Sequence, residues 1–310
     1  MKIVYIMSFA RSGSTILNTI LGTGRSVFAA GELCNIVDAI DIRREYCSCG
    51  VPSNSCAFWT EVRSEWEKSK SFQSTNEYAA LIRSFEKADR LDWLRGYSRP
   101  WLHAQKRSDW RRYVDQTAAL FDAISKVSGA DVIIDSSKSQ VRALSLSQVR
   151  GLDLRVIHLV RDVRGVVRSL NRAWESNPAG GIVEPLAAIK PSTVARRWAE
   201  SNFGATRVRR ALGERAMLVR YEDVTSCPDA TLERVGAFAE ISLSEVLSKI
   251  RHRQEFESGH QIAGNRVRMQ RGIRLSPDVR WQTELTSVQK QWIWLLAGAT
   301  PGLYGYRMNP

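Results

Sequence analysis

The chain lacks the features that mark membrane, secreted and repetitive proteins. It has no run of about eighteen consecutive apolar residues, so no transmembrane helix is expected. The start of the sequence does not show the charged segment, apolar segment and cleavage site of a signal peptide, which favours a cytoplasmic protein. Internal repeats, low-complexity tracts and a linker between independent units are missing as well. The sequence therefore predicts a single domain over residues 1–310.

The five cysteines do not form a familiar metal-binding pattern. Cys47 and Cys49 stand in a C-x-C string, whereas a zinc knuckle has C-x₂₋₄-C, and no second pair follows. Three states of Cys34, Cys47, Cys49 and Cys56 remain possible: they bind zinc together, they are reduced thiols, or some of them form a disulfide under certain conditions. Reduced thiols are the ordinary state in a reducing cytosol, so no metal is expected.

Negative charge is scarce relative to positive charge. There are 45 Lys and Arg against 32 Asp and Glu, a net charge of +13. Such a field attracts nucleic acid, anionic lipid, acidic glycans or a nucleotide, although an excess spread over exposed helix faces explains it equally well. No basic stripe interleaved with aromatic residues is present, so no nucleic acid partner is expected.

Short apolar runs separated by helical patterns dominate the rest of the chain. The runs are Ile3–Met7, Val132–Asp135, Arg155–Val160 and Met217–Tyr221. Continuous apolar runs fit strands that are buried on both faces of a parallel sheet. Helices are expected over 139–149, 163–174, 193–212, 229–239 and 287–297. This alternation predicts an α/β fold with a doubly wound parallel β-sheet flanked by helices.

Three segments break the alternation. Residues 58–130 predict a wholly helical insertion that covers the sheet edge or forms a substrate lid. The segment 177–190 carries Pro and Gly and predicts a mobile loop. The stretch 257–278 is polar and strongly basic, which also indicates a loop.

The first strand leads into a short polar loop and then a helix. In this arrangement the loop amides and the first helical turn converge on one point, where the helix dipole favours an anion. The loop Ser8–Thr15 departs from the Walker pattern G-x-x-x-x-G-K-[ST], with Ser8 for the first Gly and Ser14 for the Lys. It predicts a phosphate site that is poorly suited to ATP hydrolysis.

Two further charged groups follow predicted strands. Arg161 and Asp162 come directly after one of them, and ligands of open α/β sheets bind beyond the carboxyl ends of the strands. Arg161 is suited to bidentate binding of a phosphate, with a bond added by Ser169; capping of the next helix by Arg161 and Asp162 is an equal alternative. Lys138, after Asp135, is suited to stabilise a departing oxygen; the alternative is that Asp135 or Ser137 caps the next helix and Lys138 is exposed. Asp135 also resembles a Walker B Asp.

Together these motifs resemble the sulfotransferases that use 3′-phosphoadenosine 5′-phosphosulfate (PAPS), which have a P-loop-like fold. The loop Arg11–Thr15 resembles their 5′-phosphosulfate loop, and Arg161 with Ser169 resembles their 3′-phosphate motif. The sequence departs from the family pattern at Val163, a position where these sulfotransferases commonly have Pro. The resemblance extends over nearly the whole chain and is weakest at 58–130. Further similar elements are Arg220–Val224 with Pro228, the basic loop from Gly264, Trp281, and Tyr304 with Tyr306.

The resemblance implies an in-line transfer of a sulfuryl group to an acceptor hydroxyl, with PAPS as co-substrate and no metal required. The donor-binding residues it implies are Arg11, Ser12, Gly13, Ser14, Thr15, Arg161, Ser169, Gly264, Asn265, Arg266 and Arg268. Glu32 is the implied general base and His260 its alternative, while Lys138 and Arg11 stabilise charge. Trp174, Trp198 and Phe203 are candidates for an adenine shelf, and no choice among them is made.

Two other functions remain open at this point. A P-loop kinase or NTPase with a degenerate Walker loop predicts Mg²⁺-dependent ATP binding. A non-catalytic module that binds nucleic acid predicts a steep salt dependence. The sequence carries no recognisable signal for the oligomeric state. It also does not indicate whether the acceptor is a small molecule, a lipid, a glycan or a tyrosine.

Overall fold

One five-stranded parallel sheet forms the centre of the protein. The computed structural model describes residues 1–86 and 104–308, the side chains of 104–107 excepted. The strands are β1 (Lys2–Ser8), β2 (Val27–Gly31), β3 (Val132–Lys138), β4 (Asp153–Val160) and β5 (Ala216–Arg220). Their order in the sheet is β2-β3-β1-β4-β5, and all neighbouring pairs run parallel. The carboxyl ends of all five strands therefore meet at one edge.

Strand β2 is the element that the sequence analysis missed. Its run Val27–Gly31 has only five residues and follows a turn that contains Gly22 and Gly24. Pairing with β3 incorporates this short run into the sheet, with Val27 opposite Val132. As a consequence, Glu32 stands at the carboxyl end of a strand.

Helices connect the strands and cover the sheet. They are α1 (Ser14–Leu21), α2 (Ala57–Glu67), α3 (Thr75–Glu86), α4 (Ala104–Ser128), α5 (Gln140–Leu146), α6 (Val163–Leu170), α7 (Pro191–Leu212), α8 (Tyr221–Ser226), α9 (Pro228–Ala239), α10 (Ser244–Arg251), α11 (Trp281–Glu284) and α12 (Ser287–Ala297). Helix α6 is shorter than expected, because Trp174 forms a β-bridge with Leu186 instead of continuing the helix. The segment 177–190 is likewise held by a bridge, from Asn177 to Ile182.

Side chains of the central strand alternate between two apolar layers. Ile3 and Tyr5 pack in the layer that contains α2, α4 and α7, whereas Val4 and Ile6 pack against α1, α9 and α10. All four are fully buried. Full burial of such a side chain contributes about 1.5–3 kcal/mol, so both faces of the sheet stabilise the fold. The doubly wound arrangement predicted from the sequence is confirmed.

The described part of the helical insertion packs on a face of the sheet. Trp59, Trp66 and Phe121 share one core with Ile3 and Ile133. Residues 87–103, which the insertion also includes, lie outside the described residues. Of the helices that the structure describes, none combines the length and apolar character needed to cross a membrane.

Helix α12 docks as expected, but only by one side. Ile293 and Ala297 are buried against α6 and α7, while Trp292 and Leu295 are 61% and 59% exposed. The helix begins with a capping box, in which Thr286 and Gln289 each accept a backbone N–H of the other.

Candidate active site

A cavity of about 700 Å³ lies at the carboxyl edge of the sheet. Every strand end contributes to its wall, together with α6 and the loop after residue 262. Its lining includes Arg11, Gly13, Ser14, Thr15, Glu32, Lys138, Arg161, Ser169, Tyr221, Gly264, Asn265 and Arg266. Most of the residues that the sequence predicted for one site are therefore brought together.

The loop after β1 presents backbone amides to this cavity. Gly13 caps α1 with φ of 93°, and a Cβ atom there would lie 2.4 Å from a ring carbon of Tyr221, so only glycine fits. The amides in the first turn of α1 have no acceptor within the helix. Because Ser14 and Thr15 line the cavity, these amides and the positive end of the helix are suited to bind an anion.

Positive side chains surround the same space. Among the described residues of the lining, nine are Arg or Lys and four are Asp or Glu, an excess that suits a ligand with several negative charges. Burial lowers the pKa of Arg11, and the nearby charge of Arg266 lowers it further. An anion between these two guanidinium groups relieves their repulsion.

Arg161 is held at the cavity wall next to the anion-binding loop. Its Nη1 donates to the carbonyl of Arg11 at 3.1 Å, and its Nη2 lies 3.0 Å from Oδ2 of Asp278. The guanidinium carbon sits 4.5 Å from the centroid of the Tyr221 ring. Asp162, in contrast, caps α6 by accepting the backbone N–H of Arg164 at 2.8 Å. Of this pair, Asp162 is thus the residue that caps α6, and Arg161 lines the cavity.

Asp278 fixes the orientation of Arg161. Hydrogen bonding from Arg280 lowers the pKa of Asp278, burial opposes this shift, and Arg161 lowers it again. The carboxylate is therefore ionised at neutral pH and anchors the guanidinium. Ser169, on α6, lines the same cavity.

Lys138 and Glu32 form an ion pair on the cavity wall. Nζ of Lys138 donates to Oε1 of Glu32, and the two side chains are only 20% and 13% exposed. The other oxygen, Oε2, accepts from Nδ2 of Asn35 at 3.3 Å. Helix α5 is capped by Ser139, whose hydroxyl accepts the N–H of Arg142, so neither Asp135 nor Ser137 is the cap, and Lys138 is mostly covered. A proton acceptor and a cation thus stand side by side.

The loop after residue 262 closes the cavity against the anion-binding loop. The backbone N–H of Asn265 donates to the hydroxyl of Thr15 at 3.3 Å. Gly31, with φ of 87°, lets the carbonyl of Ile262 approach so closely that a Cβ atom would lie 2.2 Å from it. The N–H of Glu32 donates to that same carbonyl at 2.9 Å. This contact positions Glu32 and Gly264 next to each other.

Of the three aromatic candidates, Trp174 is the one on the cavity wall. The guanidinium of Arg266 lies 3.6 Å from its ring centroid. Trp198 is fully buried and donates to the carbonyl of Arg161 at 3.1 Å, which is a core position. Phe203 is 45% exposed on α7, outside the described lining.

Three other predicted residues lie behind or away from the cavity surface. The side chain of Ser12 is fully buried. Arg268 pairs with Glu45 at 3.3 Å and donates to the carbonyl of Gly264 at 3.0 Å, so it supports the loop from behind. His260 stacks on Phe58 with centroids 5.0 Å apart and is not among the described residues that line the cavity.

Asp135 is occupied by protein partners. Oδ1 accepts the N–H of Ser137 at 3.0 Å, and Oδ2 accepts Nε of Arg142 at 2.8 Å. Arg142 also pairs with the buried carboxylate of Glu86. This network is fully buried, so Asp135 does not stand as a Walker B carboxylate would.

The sequence analysis missed Tyr221 and Asp278 as site residues. Tyr221 was assigned to the end of a strand, whereas it begins α8. Asp278 stands at the edge of an unpatterned loop, and no local signal marks it.

Comparisons with known proteins identify the fold and the family of this chain. Residues 4–245 match the model of the sulfotransferase family. No curated protein shows a significant match. The sulfotransferase domain from the curacin biosynthetic pathway is similar, with 17% identity and a TM-score of 0.53, covering 99% of this chain and 98% of that one. The sulfotransferase domain of the Synechococcus PCC 7002 olefin synthase has 17% identity and a TM-score of 0.49, covering 99% and 95%. At such identity the first of these likenesses shows the fold, and the family match shows that the chain belongs to the sulfotransferase family.

Proposed function

We propose that this protein transfers the sulfuryl group of PAPS to an acceptor hydroxyl and releases adenosine 3′,5′-bisphosphate. One observation carries the proposal. Two cationic anion sites, the loop Arg11–Thr15 and the pair Arg161 and Ser169, face one cavity that also holds the Lys138–Glu32 pair. A donor with phosphate groups at both ends of its ribose requires two such sites.

The residues of the chain fit this donor. Arg11 and the amides of Gly13–Thr15 hold the 5′-phosphate and the sulfate, where no Lys for a γ-phosphate is needed. Arg161 and Ser169 hold the 3′-phosphate. Trp174 provides a flat wall for the adenine.

The chemistry of the transfer follows from the ion pair. When bound, the donor supplies a sulfuryl group whose bond to the phosphate oxygen breaks as a bond from the acceptor oxygen to sulfur forms. Glu32 accepts the proton of the acceptor hydroxyl. Lys138 donates to the departing phosphate oxygen and stabilises its charge, together with Arg11. The proton transfer to Glu32 and the contact of Lys138 with the phosphate oxygen both require this ion pair to separate as the donor enters.

We assign the charge stabilisation to side chains and backbone amides, so the proposed transfer requires no metal. A kinase or NTPase is less well supported, since Ser14 replaces the Walker Lys and the oxygens of Asp135 are bound by Ser137 and Arg142. We propose Glu32 rather than His260 as the base, because Glu32 lines the cavity.

Calorimetry with two nucleotides tests the proposal. Adenosine 3′,5′-bisphosphate is expected to bind without added Mg²⁺, whereas ATP with Mg²⁺ is expected to bind weakly or not at all. Tight binding of Mg²⁺-ATP with no affinity for the bisphosphate would overturn it. A screen with radiolabelled PAPS over phenols, steroids, glycans, lipids and tyrosine peptides then identifies the acceptor.

A further inference from the structure

Four potential metal ligands cluster outside the cavity. The Sγ atoms of Cys47, Cys49 and Cys56 and a ring nitrogen of His260 all lie within 4.8 Å of one another. Sγ of Cys56 is 3.6 Å from Sγ of Cys49 and 3.4 Å from Nδ1 of His260. Nδ1 is also 3.8 Å from Sγ of Cys47.

Three of these separations, between 3.4 and 3.8 Å, are close to the edges of a tetrahedral zinc site. With Zn–S of about 2.3 Å and Zn–N of about 2.0 Å, the ligand atoms of a tetrahedron are about 3.5–3.8 Å apart. A disulfide requires an S–S distance of about 2.05 Å, which the sulfur atoms of Cys49 and Cys56 do not have. Three thiolates and one imidazole are a donor set that selects zinc over hard cations.

Backbone and ring contacts hold two of the ligands, Cys47 and His260, in place. The N–H of Cys47 donates to the carbonyl of Val51 at 2.8 Å, so the C-x-C string folds back on itself. The ring of His260 stacks on Phe58 at an angle of 9°, and its carbonyl accepts Nε1 of Trp59 at 2.8 Å. The imidazole is thus oriented with Nδ1 toward the cysteines by contacts other than metal binding.

We propose that Cys47, Cys49, Cys56 and His260 bind one zinc ion in a closed, structural site. All four coordination positions come from the protein, so none is left for a substrate. Cys34, the fourth ligand considered from the sequence, lies elsewhere, and its N–H donates to the hydroxyl of Ser137 at 3.0 Å. The sequence could not identify His260, because 204 residues separate it from Cys56.

The ion positions the loop that closes the donor cavity. Ser48, between two of the ligands, donates from its hydroxyl to the carbonyl of Gly259 at 2.8 Å and accepts the N–H of Gln261 at 2.7 Å. Nε2 of Gln261 donates to Thr19 on α1 at 2.7 Å. The chain then pairs with Gly31 through Ile262. Zinc at His260 therefore anchors the segment that leads into Gly264 and Asn265.

Elemental analysis of the purified full-length protein tests the proposal directly. About one equivalent of zinc per chain is expected, and cobalt loaded in its place is expected to show thiolate charge-transfer bands and the visible bands of a tetrahedral ion. Less than about a tenth of an equivalent after exposure to zinc overturns the proposal. So does a count of three free thiols in denaturant with chelator, which indicates a disulfide, whereas five are expected.

A pair of variants separates this site from general cysteine chemistry. Cys49 and Cys227 are both exposed, so Cys49→Ser and Cys227→Ser leave no core cavity. Cys49→Ser is expected to lose most of the zinc and to speed hydrogen exchange at 259–265, whereas Cys227→Ser keeps both unchanged. Full zinc retention by Cys49→Ser overturns the assignment. None of these measurements uses a sulfate donor, so their outcome does not depend on the proposed activity.

Discussion

Lys138 donates to the carboxylate of Glu32 although 106 residues separate them in the chain. They meet because Lys138 ends β3 and Glu32 directly follows β2, and these two strands are neighbours in the sheet. Each side chain is mostly covered, so each satisfies the charge of the other. Under the proposed function, Lys138 leaves Glu32 when the donor enters and contacts the departing oxygen instead.

Replacement of Glu32 by glutamine tests the proposed base. Glu32→Gln keeps the shape of the side chain but removes the proton acceptor, so turnover is expected to fall about a hundredfold or more. The affinity for adenosine 3′,5′-bisphosphate is expected to stay unchanged. Glu184, another carboxylate on the cavity wall, provides the control, and Glu184→Gln is expected to keep full turnover. Full activity of Glu32→Gln would remove Glu32 from this role.

Removal of the Arg161 guanidinium tests the 3′-phosphate site. Arg161→Ala is expected to weaken binding of the bisphosphate by about 1.5–3 kcal/mol, the scale of a hydrogen bond to a charged group. Calorimetry at fixed salt measures this loss, with Arg215→Ala, an exposed position outside the described lining, as control. Equal affinities of the two variants would exclude Arg161 from the site.

His158 is expected to make stability depend on pH. Burial lowers the pKa of this histidine to about 4 from 6.5, and its hydrogen bond with Asn202 only partly offsets the shift. The unfolded chain therefore binds a proton at higher pH than the folded chain does. The stabilising contribution is complete above pH 6.5 and is lost as the pH falls toward 4, about 2 kcal/mol between pH 7 and pH 5.

Denaturant titrations of the parent and of His158→Gln at these two pH values measure the effect. The variant is expected to lose about 2 kcal/mol less stability than the parent on acidification. An identical pH dependence of the two proteins would show that His158 is not the responsible group.

Gly31 is expected to be irreplaceable for two separable reasons. In Gly31→Ala, the new side chain is disfavoured by the positive φ and also clashes with the carbonyl of Ile262. In Gly151→Ala, φ is likewise positive, at 83°, but the new Cβ atom has no neighbouring atom within 4 Å. The backbone penalty alone is about 1–2 kcal/mol, so Gly151→Ala should cost that much and Gly31→Ala distinctly more. Urea denaturation compares the two variants, and equal losses of stability would refute a steric role for Ile262.

Long apolar runs and strand-end motifs were predictable, because they depend on local patterns. The strands near Ile3, Val132 and Arg155 and the doubly wound sheet are confirmed, and the helix 287–297 has the predicted bounds. The short strand β2 was not predicted, because its five residues carry too little pattern between glycine-rich turns.

Contacts between distant segments were beyond the sequence analysis. The anchoring of Arg161 by Asp278 and the position of His260 beside three cysteines depend on how loops dock, and no local spacing encodes that. The same holds for the buried network of Asp135, Arg142 and Glu86, in which an apparent Walker B residue turned out to be structural.

The bridge between Gly31 and Ile262 has a consequence for the order in which the protein is assembled. All five strands end before residue 221, and α9 and α10, which cover one face of the sheet, end by residue 251, so the core elements are synthesised before the loop after residue 262. Gly264, Asn265 and Asp278, which complete the cavity, emerge afterwards. In the nascent chain the core can therefore form before the residues that complete the cavity are added.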